Sequence, residues 1–68
     1  MPTGTLKEWV ADKGYGFIHP QGGGLFVFCH ISGLEIEASE LVIGDLLEYE
    51  IGTGRDGRSR AVRVRWAD

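Results

Sequence analysis

The chain has 68 residues, 43% of them hydrophobic and 25% charged, which excludes a disordered tail and leaves room for one small domain with a modest core. Its net charge is −3 and its isoelectric point is near 5.2, which argues against a partner drawn by bulk positive charge, such as duplex DNA. A single cysteine, Cys29, excludes an internal disulfide and the paired spacing of a structural zinc site.

Glycines divide the chain into short segments of alternating character, the pattern of an all-β barrel or sandwich. The first predicted strand, Thr5–Ala11, carries Lys7 and Trp9, and Gly14 stands between it and the next. The second, Tyr15–His19, points Gly16 and Ile18 inward and Tyr15, Phe17 and His19 outward. After Gly22-Gly23-Gly24, a third strand over Leu25–Ile31 sends Leu25, Val27, Cys29 and Ile31 to the core and Phe26, Phe28 and His30 to the surface. Leu34–Val42 has room for a helical turn at most, stopped by Gly44. Strands over Asp45–Ile51 and Ser59–Trp66, joined by a Gly-rich loop, complete five. Five short strands suit a small closed barrel of the oligonucleotide-binding kind.

Charge is segregated along this plan. Residues 35–50 carry six acids and no base, whereas residues 51–68 carry five arginines against Asp56 and Asp68. The arginines read mainly as a solvated edge balancing the acids, with Arg55 and Arg58 in the Gly-rich loop placed to follow a polyanion's backbone.

The outward face of the second and third strands inverts the usual economy, since its rings carry the largest apolar area a core of this size could use. Rings spaced about one base apart give unpaired bases a stacking platform, and nearby lysines meet the phosphates. Lys7, Trp9, Lys13, Tyr15, Phe17, Phe28 and His30 supply those parts. Lys13-Gly14-Tyr15-Gly16-Phe17-Ile18 follows the opening of the ribonucleoprotein pattern of RNA-recognition motifs, but the chain is too poor in helix for that fold. Cys29 and His30 point to opposite faces and cannot share a metal ion, and His19 reads as a plain surface residue beside Pro20. No cofactor motif is present, and no nucleophile lies beside a base in the pattern, so neither a cofactor nor an enzymatic activity is expected.

Two of these stretches together resemble the cold-shock domain family. Gly4 through Ile18 is similar to its first two strands and first ribonucleoprotein motif, and Val27-Phe28-Cys29-His30-Ile31-Ser32 to its second, usually V-F-V-H-F-S. Leu41, Gly44, Leu47, Tyr49, Ile51 and Gly54 fall where that family's fourth strand and following loop place similar residues, and Ala61-Val62-Arg63-Val64 resembles its last strand. The resemblance spans almost the whole chain as one domain. It implies an all-β, five-stranded antiparallel OB-fold barrel that binds single-stranded RNA and DNA with weak sequence preference and acts as an RNA chaperone. Lys7, Trp9, Lys13, Tyr15, Phe17, Phe28 and His30 would be the binding residues.

The chain departs from the family at Glu8, where a stacking Trp is usual, at Ile31, where the second motif has Phe, and at Ala38, where a loop aromatic is common. At about 1–3 kcal/mol per stacked base, one lost ring weakens binding roughly 10- to 100-fold. Phe26, at a position usually acidic, is expected to replace part of that surface and shift the footprint towards the third strand. The competing reading is a protein-interaction module on the same barrel, its nucleic-acid binding decayed. Met1–Thr5 lacks the basic start and apolar run of a secretory signal, and no stretch reaches the ~20 apolar residues of a membrane helix. A cytoplasmic protein, monomeric or weakly dimeric and with no membrane or small-molecule partner, is the expectation.

Overall fold

Period-2 alternation over short segments produces five strands: β1 (Thr3–Val10), β2 (Tyr15–Pro20), β3 (Val27–His30), β4 (Leu46–Thr53) and β5 (Ser59–Trp66). They were obtained as a computed structural model that describes residues 2–54 and 56–67. Single 3-10 turns lie at Ile31–Gly33 and Ala38–Glu40. The strands close into a barrel in the order β1-β2-β3-β5-β4, with β4 returning to β1.

The closure is not wholly antiparallel. β3 and β5 run parallel where Cys29 meets Ala61, as do Leu34 and Val64 just beyond. The remaining pairings are antiparallel. Because β3 and β5 are distant in sequence, local alternation carries no signal for their relative direction.

The boundaries of β1, β2 and β4 differ from the sequence expectation by one or two residues, and both ends of β3 differ with more consequence. β3 begins at Val27 rather than Leu25, because Gly23 and Gly24 both adopt positive φ and keep the preceding loop out of the sheet. Leu25 is therefore 91% exposed and not a core residue. β3 ends at His30, which caps the turn at Ile31–Gly33, so Ile31 leaves the alternation and stands 46% exposed. Its amide instead donates to the Gly14 carbonyl at 2.8 Å, tying the β1–β2 turn to the end of β3.

The core consists of Leu6, Ile18, Cys29, Leu47, Tyr49, Ala61 and Val64, each essentially without solvent contact. Trp9, Val27, Leu34, Ile36 and Leu41 pack around it. Burial in this apolar interior pushes the Cys29 thiol pKa up from 9.0 to about 11 and raises that of the Tyr49 phenol.

Two bulges set which side chains face out. In β1 the register with β2 shifts between Leu6 and Glu8. Leu6 lies opposite Ile18, after which Glu8 lies opposite Phe17, Trp9 opposite Gly16 and Val10 opposite Tyr15. Residues directly opposite share a face. The bulge thus brings Glu8 to the outer face and turns Trp9 inward. A Cβ at Gly16 would collide with the Glu8 carbonyl and lie 2.7 Å from the Trp9 ring, so glycine is what lets the two strands approach there. The second bulge separates Glu48 from Glu50 opposite β5, where Arg63 takes φ 53°.

Candidate nucleic-acid interface

The pairing of β2 with β3 sets Tyr15 opposite His30 and Phe17 opposite Phe28, all on the outer face. The four rings form a contiguous grid. Tyr15 and Phe17 meet edge to face at 6.3 Å, Phe17 and Phe28 at 5.9 Å, and Tyr15 and Phe28 are tilted at 5.7 Å. His30 joins Phe28 at 6.4 Å. Each ring is only half-buried, so its remaining face is open to solvent.

Local chemistry holds the grid in place. Gly14 adopts φ 72° in the β1–β2 turn, and its amide donates to the Val10 carbonyl at 2.9 Å, which delivers the chain into β2 at Tyr15. His30 Nδ1 accepts the Ser32 backbone N–H at 3.1 Å and lies 2.9 Å from the Ser32 hydroxyl. With Nδ1 as acceptor, the neutral imidazole carries its proton on Nε2, the nitrogen left to donate to a ligand.

A third row of rings continues the same face. His19 and Phe26 meet edge to face at 5.3 Å, with Phe26 57% exposed. Phe26 thus lies where alternation places it, although the regular strand starts one residue later. His19, read from sequence as a plain surface residue, is its partner. The signal was available, since alternation points His19 outward beside Tyr15 and Phe17.

On the other flank β5 brings Arg60, whose guanidinium carbon sits 5.8 Å from the centre of the Phe28 ring. Tyr15, Phe17, Phe28, Asp56, Arg58, Ser59 and Arg60 enclose a pocket of about 390 Å3. Sequence reasoning passed over Arg60 in favour of the loop arginines. Alternation around Ala61 points it outward, but its place beside Phe28 depends on the barrel closure that local pattern does not reveal.

The other predicted residues fall as follows. Lys7 is exposed at the β1 bulge and Lys13 is exposed in the β1–β2 turn. The structure does not bring Trp9 into the grid; it is half-buried against the core. Arg58 is on the pocket rim, its Nε 3.9 Å from Asp56 Oδ2. Arg55 lies outside the described residues. The balancing role expected of the arginines is visible on β4, where Arg65 pairs with Glu48 at 3.1 Å and Arg63 approaches Glu50 at 3.9 Å.

A closed barrel of five short strands with a grid of half-open rings on one face is the architecture of the small oligonucleotide-binding domains. The profile of the "Cold-shock" DNA-binding domain matches residues 2–67. The chain belongs to this cold-shock domain family, whose members bind nucleic acid. It is 41% identical over 58 residues to the cold shock-like protein CspA of Stigmatella aurantiaca, covering 84% of this chain and 85% of that protein. It is 34% identical over 65 residues to the cold shock-like protein CspD of Escherichia coli, covering 94% and 88%. Glycine-rich protein 2 of Nicotiana sylvestris is 42% identical over 66 residues, 96% of this chain. The chain spans only 31% of that plant protein's length and 21% of that of the cold shock protein 1 of Arabidopsis thaliana.

Proposed function

We propose that this domain binds single-stranded RNA and DNA by stacking successive bases on Tyr15, Phe17, Phe28 and His30, with Phe26 and His19 extending the platform at one end. The observation that carries this reading is the ring grid itself: four rings within 6.4 Å of a neighbour, held half-open on the surface of a barrel whose core is filled without them. Every base has a π face, so such a platform reads sequence weakly. Lys7, Lys13 and Arg58 supply positive charge for the backbone, and Arg55 is assigned the same role from the sequence. Trp9 contributes from beneath, by packing under Gly16. The same chemistry suits an RNA chaperone, which holds messages unpaired and releases them. We read the chain as a cytoplasmic, monomeric single domain that binds and does not catalyse.

Glu8 stands opposite Phe17 on the same face, and an anion there favours the second reading, a protein-binding module on a decayed platform. Salt dependence separates the two. Titrating a fluorescent oligo-dT with the protein at several salt concentrations should give a log–log slope near −2 to −3, at about −0.7 per phosphate contacted for two lysines and one or two arginines. A flat response, or no binding at micromolar protein, would instead support the polypeptide partner.

A further inference from the structure

Four arginines of the β4–β5 loop and β5 are described, and three of them have carboxylate partners: Arg58 with Asp56, Arg63 with Glu50 and Arg65 with Glu48. Arg60 has none among the described residues. Its Nε is buried without a hydrogen-bond acceptor, and its guanidinium is packed between the Phe28 ring and Gly54, where any Cβ would collide with it. A fixed, unpaired guanidinium has therefore been placed in the wall of the pocket that three platform rings line.

The composition of that pocket says what kind of group it takes. Tyr15, Phe17 and Phe28 offer ring surfaces to a base. Opposing chemistry lines the remaining wall, with the cations of Arg58 and Arg60 beside the carboxylate of Asp56. A phosphate would use only the cations of this wall, whereas a base that presents both acceptors and donors uses all of it. Guanine does this best. Its O6 and N7 are neighbouring acceptors that match the guanidinium fork, and its N1–H and N2–H2 are donors for a carboxylate. Cytosine has neighbouring acceptors but a smaller stacking face. Adenine and uracil or thymine have no two adjacent acceptors to engage the fork.

We infer that Arg60, with Asp56, makes this pocket a guanine-selective position on an otherwise sequence-tolerant platform. The inference rests on the base-stacking reading given above and adds a specificity-determining residue to it. Arg60 reads the base edge while Phe28 and its neighbours hold the base plane.

The test compares thymidine heptamers with a single central guanine, cytosine or adenine against the all-thymidine heptamer, using the whole 68-residue chain. One bidentate contact supports a preference of roughly 5- to 100-fold for the guanine heptamer over the all-thymidine one, with cytosine second and adenine no better than thymine. Arg60→Lys keeps the charge but loses the fork, and should bring the guanine-to-thymine ratio to within about 2-fold of unity. Asp56→Asn, on the exposed loop, should lower the same ratio without bearing on the fold. A wild-type ratio near one, adenine equal to guanine, or a ratio unchanged in both variants would overturn the inference while leaving stacking intact. Failure of every heptamer to bind would overturn the stacking reading and this one together.

Discussion

Phe28 occupies the centre of the platform, in contact with Tyr15, Phe17, His30 and the guanidinium of Arg60. Phe26 touches only His19 among the described rings. The difference in neighbours predicts a difference in energetics. Phe28→Ala should weaken oligo-dT binding roughly 10- to 100-fold, the range for one lost stacking position. Phe26→Ala should cost about 10-fold at most, since it trims the edge of the footprint. Fluorescence anisotropy on both variants checks the order; equal affinity of Phe28→Ala and wild type would remove the grid from the site.

Cys29 offers a separate prediction at this scale. Its thiol pKa is raised to about 11 by burial, so the folded state keeps the proton that the unfolded chain gives up at its ordinary value of 9.0. The resulting stabilisation is fully present below pH 9 and is lost as pH rises from about 9 to 11. Its size is roughly 2–3 kcal/mol by linkage, and Tyr49, also raised by burial, acts in the same direction. Urea unfolding at pH 8 and pH 10.5 should show a clear loss for the wild-type protein and a smaller one for Cys29→Ala.

At the scale of elements, the strands were legible because glycine punctuation and alternation are local signals. β5 runs over Ser59–Trp66 as alternation predicts, and β2 extends one residue past His19 to Pro20. The platform residues of β2 and β3 were legible for the same reason. Three things were not. The β1 bulge reverses the facing of Glu8 and Trp9, and a bulge leaves no local trace when both residues suit a strand. The parallel contact of β3 with β5, which brings Arg60 to Phe28, is a property of closure. The exposure of Leu25 and Ile31 follows from a loop conformation and a cap, both of which override alternation.

The second bulge gives a stability prediction. Arg63 adopts φ 53°, a left-handed conformation that costs an L-residue about 1 kcal/mol or more and glycine almost nothing. Its approach to Glu50 at 3.9 Å is exposed and worth at most about 0.5 kcal/mol. Arg63→Gly should therefore stabilise the domain by about 0.5–1 kcal/mol, seen as a rise of a few degrees in thermal midpoint. A lower midpoint would show that the Arg63 side chain matters more than its backbone.

Across the whole molecule, charge and apolar surface are distributed so that one face stands apart. The net charge of −3 opposes a polyanion. Ion pairs between β4 and β5 engage Glu48 and Glu50, and the aromatic face has the cations of Arg58 and Arg60 at its rim. Apolar side chains are also exposed elsewhere, at Val42, Ile43, Leu46 and Trp66. Among the described residues these form no ring grid, which is what directs the functional reading to β2 and β3.

Amide chemical-shift mapping tests that choice directly. Labelled protein is titrated with unlabelled oligo-dT at low salt, and the perturbed backbone amides are assigned. The account predicts shifts concentrated in Tyr15–His19, Phe26–His30 and Arg58–Arg60. Shifts centred instead on Val42–Leu46 and Trp66, or none at stoichiometric oligonucleotide, would contradict it.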